Sequence, residues 1–437
     1  MSSKSLSAET VQQIIDLMND PVFTNLRRLV NERPIPWGEF CTMQVPDSLT
    51  REQTWDILNA LRRQMAVDLP FRDGDGRRGW YYPTHSILAD LDDIDRRCQE
   101  GSWLDTAIKS RNTTYFLIES HVNEAITIIR EDGLNISYEK AREVLLGERD
   151  PENSDEQLLS NGFQALWDLD EYAEQTCTPE LIFSIFEKIS DGVDNQTTDP
   201  ITLSSPFWKS AEHNSQEILS LVSNLINGNK VEHAEHPVYL GMAIRYLFMS
   251  TFPLPAWNGT MYSLMMKLLF KKSRLPALAF IPIIKAFQER RTDRDHLPND
   301  ITEIANTALI IGDEVDYTVY DAIVARLVRQ AIDEVEDDLK RAIRRDEVFV
   351  QELRDRKEIN QRQRSVLQLA LSDPKVVFRI ESHRKTHHVA YATARADLME
   401  LADLGFLQCI QKRRAFEFHV MPGLRQLLTA YTRNTNR

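Results

Sequence analysis

Apolar residues recur at helical spacing with little interruption from Asp105 to about Arg345, and this run limits the chain's folding options more than any other feature. Ile118, Val122, Ala125, Ile126 and Ile129 share one helical face. Leu219, Leu221, Val222 and Leu225 recur in the same way in a later segment. Glycine, which weakens helices by its backbone freedom, numbers only 15 in 437 residues, about half the usual share of roughly 7%. The expectation is a mostly α protein. Asp191 to Ser205 has no helical period and reads as a loop or a short hairpin. Asp316 to Leu339 reads as a long helix with an acidic exposed face, and 345–360 as a charged helical connector. The first hundred residues read as short helices broken by loops at Pro34 and Pro36 and at the turn-rich Phe71 to Arg78 (FRDGDGRR).

Charge divides the chain further. The net charge is -14, yet Glu358 to Arg437 carries 13 Lys and Arg against 7 Asp and Glu. An acidic body is therefore joined to a basic tail. Three regions are expected: an N-terminal helical region over 1–104, a helical core over 105–345, and a charged connector with a small domain over 346–437. Cys41, Cys98, Cys177 and Cys409 are widely spaced and form no C-x-x-C pair, so neither a zinc knuckle nor a disulfide framework is expected. The polar start MSSKSLSAETVQQ lacks an apolar signal core. The most apolar stretch, Leu275 to Phe287, is too short to span a bilayer and holds Pro276 and Pro282. These features predict a cytoplasmic protein with no membrane partner.

In the tail, Asn360 to Leu371 reads as a helix. A linker follows, then a second helix over His388 to Leu404, with Ala392, Ala394, Leu398, Leu401 and Leu404 at helical spacing. Gly405 is placed as its C-cap. Phe406 to Gln411, a Lys412-Arg413-Arg414 tip and Ala415 to Val420 read as strand, turn and strand. That order is the order of a winged helix-turn-helix, whose second helix enters the major groove and whose wing touches the backbone. The candidate DNA contacts are His387, His388, Tyr391 and Arg395 on the helix, with Lys412, Arg413 and Arg414 on the wing. The plainer alternative is a packing or dimerisation unit. His383, His387 and His388 could space a metal, but no cysteine or carboxylate is placed beside them, and no metal site is expected.

The informative segment of the body is His236 to Lys271. A helix (Val238 to Ser250) leads into a Pro-broken loop (Phe252 to Trp257), and a second helix starts at Asn258-Gly259. A loop ending at a helix N-terminus presents free backbone N–H groups to anions. This segment resembles the core of Fic-domain proteins, the Fido fold, which place H-P-F-x-[D/E]-G-N-G-R-x-x-R between two helices and often H-P at the start of the first. His236-Pro237 stands at that start. Asn161 with Ala165-Leu166 resembles the family's N-Y-x-x-A-L helix, Thr178 to Gly192 the helix before its flap, and Asp316-Tyr317-Thr318 its D-x-T. The tail is similar to the winged helix of longer members. The resemblance implies a mostly α, Fic-like helical core with a short flap hairpin, plus a C-terminal winged helix-turn-helix.

The family transfers AMP or a related group to protein hydroxyls, and the resemblance gives each loop position a role. The general-base His is here Phe252, which accepts no proton. The Mg²⁺-holding acid is Ala256, and the glycine that lets backbone approach phosphate is Trp257. The two phosphate-clamping arginines are Thr260 and Ser263. Only Pro253, Asn258 and Gly259 match, and loop and capping geometry accounts for the last two. The inhibitory-helix glutamate of the family falls at Glu119, whose usual partner position, Ser263, has no charge. The resemblance therefore implies a nucleotidyltransferase-like protein that has lost catalysis and regulates through its winged helix. No cofactor is expected; ATP and Mg²⁺ enter only if activity survives. The alternatives are a transferase with altered residues, for example Tyr262 or a flap residue as base, and a partner of an active Fic protein that binds no DNA. Expected partners are thus DNA, through the winged helix, and a protein target.

Overall fold

The computed structural model describes residues 8–431 except 73–75, 110–113, 146–148, 194–214, 229–234, 290–308, 312, 355–358, 373–375, 388, 413–414, 425–426 and 429–430. The described chain is mostly helical. It divides into two compact units, one made of 1–105 and 121–333, the other of 106–120 and 334–437.

The first unit opens with α1 (Ala8–Asn19), α2 (Pro21–Glu32), α3 (Trp37–Phe40) and α4 (Arg51–Arg63). Asp20 caps α2 by accepting from the Val22 and Phe23 N–H groups, and Thr50 and Gln53 close a capping box on α4. Phe23, Leu26, Val30, Phe40, Trp55 and Leu58 form the local core. The turn-rich segment after α4 is a hairpin, not a loop between helices. Strands β1 (Val67–Arg72) and β2 (Arg78–Tyr81) pair antiparallel. Gly79 makes this possible against its neighbour: a Cβ there would lie 2.8 Å from the Tyr317 ring. The aromatic Trp80 and Tyr81 suit a pleated, buried surface.

The helical body follows with α5 (His85–Cys98), α6 (Trp103–Lys109), α7 (Thr114–Glu131), α8 (Tyr138–Leu145), α9 (Ser154–Trp167), α10 (Leu169–Ala173), α11 (Pro179–Ser190) and α12 (Ser215–Asn227). Then come α13 (Pro237–Thr251), α14 (Asn258–Lys272) and α15 (Ile283–Glu289). On α7, Val122, Ile126 and Ile129 are buried as their spacing requires. Helix α14 is the centre of the unit: every residue from Asn258 to Phe270 is buried. It packs on α13, α9, α10 and α12. Gly241 lets α13 approach, because a Cβ there would meet Met266 at 2.8 Å.

Two further strands interrupt the helical reading. Strand β4 (Glu314–Asp316) pairs parallel with β2 and antiparallel with β3 (Leu309–Ile311). Each has three residues, too short for a period to register. Asp316 then starts the long α16 (Thr318–Arg354): its carboxylate accepts from the Thr318 N–H at 2.8 Å and from the Thr318 hydroxyl. That hydroxyl accepts from the Tyr82 N–H at 2.8 Å, and Arg62 reaches the other carboxylate oxygen at 2.7 Å.

The second unit ends in a small module: α17 (Gln361–Ser372), β5 (Val377–Arg379), α18 (Ile380–His387), α19 (Tyr391–Asp403), β6 (Leu407–Lys412) and β7 (Ala415–Val420). The strands form an antiparallel sheet in the order β5-β7-β6. The expected linker is thus a strand and a helix. Among the described residues of that stretch only Phe378, Ile380 and His383 are buried, too few to declare it as structure. The helix expected from His388 begins at Tyr391 and is the third of the module, not the second. Leu367, Ala394, Leu398, Leu401, Phe406 and Phe418 form its core. A polar lock joins the helices: Asp397 accepts from Asn360 Nδ2 at 2.8 Å, Arg362 Nε at 2.7 Å and His383 Nε2 at 3.2 Å.

Candidate functional site

The loop between α13 and α14 is fixed from both ends. His236 caps α13: its Nδ1 accepts from the Val238 N–H at 3.2 Å, and its Nε2 meets Asp95 at 3.0 Å. Pro237 follows at the first helical position, where its missing N–H costs nothing. The helix stops at Phe252, which is left-handed at φ 45° and 40% exposed. Trp257, at φ 54°, precedes α14. Left-handed backbone at two bulky residues is costly and needs the surroundings to hold it. Asn258 does much of that. Its Oδ1 accepts from the Leu254 N–H at 3.2 Å and its Nδ2 donates to the Leu254 carbonyl at 3.0 Å, closing the loop as a backbone bridge would. Ala256 and Trp257 of the loop are buried, and the indole Nε1 has no hydrogen-bond partner among the described residues.

The N-terminus of α14 is occupied by the protein itself. Asp132, one residue beyond α7, accepts from the Gly259 N–H at 2.7 Å, the Thr260 N–H at 2.8 Å and the Thr260 hydroxyl at 2.7 Å. Trp257 offers no side-chain cap, so Asp132 supplies from another helix what a capping residue supplies locally. Gly259 makes the approach possible, since a Cβ there would lie 2.9 Å from Asp132 Oδ1. Burial pushes the Asp132 carboxyl up to about 6 against the pull of the Thr260 and Gly259 donors, which leaves it largely ionised at neutral pH beside the positive helix end.

Next to it, Glu131 accepts from Arg245 at 3.0 Å and from the Tyr262 hydroxyl. The Arg245 guanidinium lies 5.4 Å from the centre of the Tyr262 ring. Burial works against the Arg245 charge, but Tyr262 and Glu131 outweigh it and hold the guanidinium protonated. Burial and Glu131 keep the Tyr262 phenol well above its usual range. Tyr262, the candidate alternative base, is fully buried.

Thr260 and Ser263 are also buried, at 5% and 3% exposure. They line a half-open hollow of about 50 Å³ with Glu124, Lys267 and apolar residues of α7, α9 and α14. Asn161 of α9 donates to the Ile189 and Asp191 carbonyls at 3.0 and 2.8 Å, pinning the end of α11. The flap reading lies mostly beyond this point, over 194–205, outside the described residues, as does the side chain of Glu119.

In the C-terminal module, Tyr391 is 52% exposed at the start of α19. Arg395 is exposed too and lies 5.5 Å from the centre of the Phe416 ring on β7. His387 packs edge-on against the buried His383 at 4.6 Å, and burial together with His383 lowers its pKa. Lys412 ends β6, its side chain not described; His388, Arg413 and Arg414 lie outside the described residues. Among the described residues, no helix is long and apolar enough to cross a membrane, and no group of acidic, His or Cys residues could hold a metal. All four cysteines are free thiols.

The sequence reading missed Glu124, Glu131, Asp132, Arg245 and Lys267. Asp132-Gly133 after a helix is an ordinary turn signal, and nothing in it names the helix end 127 positions away that it caps. No protein-family model matches the chain, and no curated protein matches it.

The Asp132 plug has a measurable consequence. Asp132→Ala leaves two N–H groups and a hydroxyl without their acceptor, at an expected cost of about 1–3 kcal/mol. Asp132→Asn keeps one acceptor oxygen and loses less. Urea midpoints of the three proteins measure the order; an unchanged midpoint for Asp132→Ala would mean that water replaces the carboxylate without loss.

Proposed function

We propose that the chain is a Fic-like protein that no longer transfers nucleotide and acts as a regulator through a DNA-binding winged helix. The observation that carries this reading is the filled α14 N-terminus: the backbone donors that a phosphate would need already hold Asp132. The surroundings agree with it. No cation stands at Thr260 or Ser263 and no base at Phe252. Trp257 keeps a left-handed backbone at the position where the resemblance expects glycine. The Asp316–Thr318 cap opens α16 at the place of the family's D-x-T.

For the regulatory half, the support is the order helix, strand, two helices, two strands, with Tyr391 and Arg395 exposed at the start of the third helix. In sequence, Lys412, Arg413 and Arg414 fall at the β6–β7 junction, and the tail is basic in an otherwise acidic chain.

Two measurements test the two halves. Calorimetry of the purified protein with ATP, with and without Mg²⁺, is expected to show no binding; clear binding would restore the transferase reading. Fluorescence anisotropy with duplex DNA at low salt is expected to show binding that weakens steeply with salt. The Arg413→Ala, Arg414→Ala variant is expected to flatten the log K against log salt slope by about 2. A wild type that binds no duplex at low salt would leave a partner protein without DNA contact.

A further inference from the structure

We infer that the hollow between α7, α9 and α14 is a binding site for the hydroxyl end of a slim aliphatic molecule. This does not depend on the Fic-like reading; it rests on the chemistry of the hollow. Its walls are apolar, with Ile128, Leu158, Leu159, Phe163 and Leu264 among them. One end is not. Glu124 and Lys267 meet there at 3.4 Å with side chains 2% and 3% exposed. The Lys267 ammonium also donates to the Ala279 carbonyl at 2.9 Å.

One Glu124 oxygen takes Lys267; the other, Oε1, is buried and makes no hydrogen bond of ordinary geometry among the described residues, although the Ile284 N–H and the Lys285 charge also act on the carboxyl. A buried acceptor left without a donor is expensive, and such groups in native structures are normally satisfied by protein, water or ligand.

The pair selects the ligand's charge. An ionised Glu124 beside Lys267 forms a pair with no net charge, with Lys285 a further cation acting on the carboxylate. A ligand ammonium would add a second cation beside Lys267, and a carboxylate would add a second anion beside Glu124. A hydroxyl fits both: it donates to Oε1 and has lone pairs for an ammonium N–H. The space selects the shape. About 50 Å³ exceeds the roughly 10–15 Å³ a water needs and falls short of the about 150 Å³ that holds a benzene ring. A short alkyl chain fits, and because the hollow is half open the rest of a longer molecule can extend outward.

The test uses the full chain with methyl NMR of its Ile and Leu residues. 1-Butanol is titrated beside 2-butanone, butylammonium and butanoate, all at concentrations that leave the chain folded. Saturable shifts at Ile128, Leu158, Leu159 and Leu264 are expected with butanol, and binding about tenfold weaker or worse with the other three. Ala125→Phe, which fills the hollow from its wall, is expected to abolish the butanol shifts in a protein with an otherwise unchanged spectrum. In Glu124→Leu, Lys267→Met, which removes both charges together, the preference for alcohol over ketone should disappear. Equal binding of all four compounds, or no saturable shift at those methyls, would overturn the inference and leave ordered water as the occupant.

Discussion

Glu235→Gln is expected to stabilise the protein at alkaline pH and to do almost nothing below pH 4. Glu235 is 5% exposed, and among the described residues neither of its carboxylate oxygens has a hydrogen-bond partner. Burial first, and the Asp68 charge second, push its pKa up to about 8 from 4.5. The sign follows from proton binding. Below about pH 4.5 the carboxyl is protonated folded and unfolded alike, and burial costs little. Between pH 4.5 and 8 the folded state holds a proton that the unfolded state has lost, so stability falls as pH rises. Above pH 8 the loss is complete, on the order of several kcal/mol at about 1.4 kcal/mol per pKa unit. The glutamine amide cannot ionise and removes that slope. Urea midpoints measured from pH 5 to pH 9 are expected to diverge, with the variant above wild type at the upper end. Parallel curves would show that Glu235 reaches water or a donor in solution. Asp321 is raised first by burial and then by Glu235, so in the variant its pKa is expected to fall while staying above the ordinary carboxylate range.

Arg62→Met is expected to cost about 3–5 kcal/mol, the range for breaking one side of a buried ion pair. Arg62 and Asp316 meet at 2.7 Å with side chains 5% and 6% exposed. The guanidinium also lies between the Trp55 and Trp80 rings, 5.7 and 5.8 Å from their centres. Removing it leaves the Asp316 carboxylate buried with only the Thr318 donors. The pair links α4 to the start of α16, and the Tyr317 N–H bonds the Trp80 carbonyl at 2.8 Å, so the sheet and the helix start loosen together. Arg62→Met, Asp316→Asn should recover part of the loss, because the uncompensated charge is gone and the substituted amide oxygen still accepts from Thr318. A double-mutant cycle on urea midpoints is expected to give a coupling of about 1–3 kcal/mol. A coupling near zero would mean that Arg62 acts through its packing on the tryptophans alone.

These two effects mark the border between what was readable in the chain and what was not. Helices α13 and α14 were legible almost to the residue, because Pro237 starts one and the Pro-rich Phe252 to Trp257 loop separates it from the other. The face of α7 and the strands β6 and β7 were legible for the same reason: burial imposes a period, and the period is local. Strands β1 to β5 were not. All five are short or lie beside a turn, and two of their pairings join distant segments, β2 with β4 and β5 with β7. Helix α18 was hidden because it buries few apolar residues.

The site shows the same division. The sequence alone determined that the α13–α14 loop ends at a helix N-terminus and that Phe252, Ala256, Thr260 and Ser263 bring neither base nor charge to it. It also determined an acidic chain with a basic tail. Only the tertiary structure decided what fills that helix end, and why Gly259 must be glycine there: Asp132 arrives from α7. It alone buried Glu235 with no donor among the described residues and set Glu124 against Lys267 in the lining of a largely apolar hollow. Period, capping and charge are properties of neighbours in the chain. Desolvation and the pairing of buried charges depend on which distant segments meet, and no local pattern encodes that.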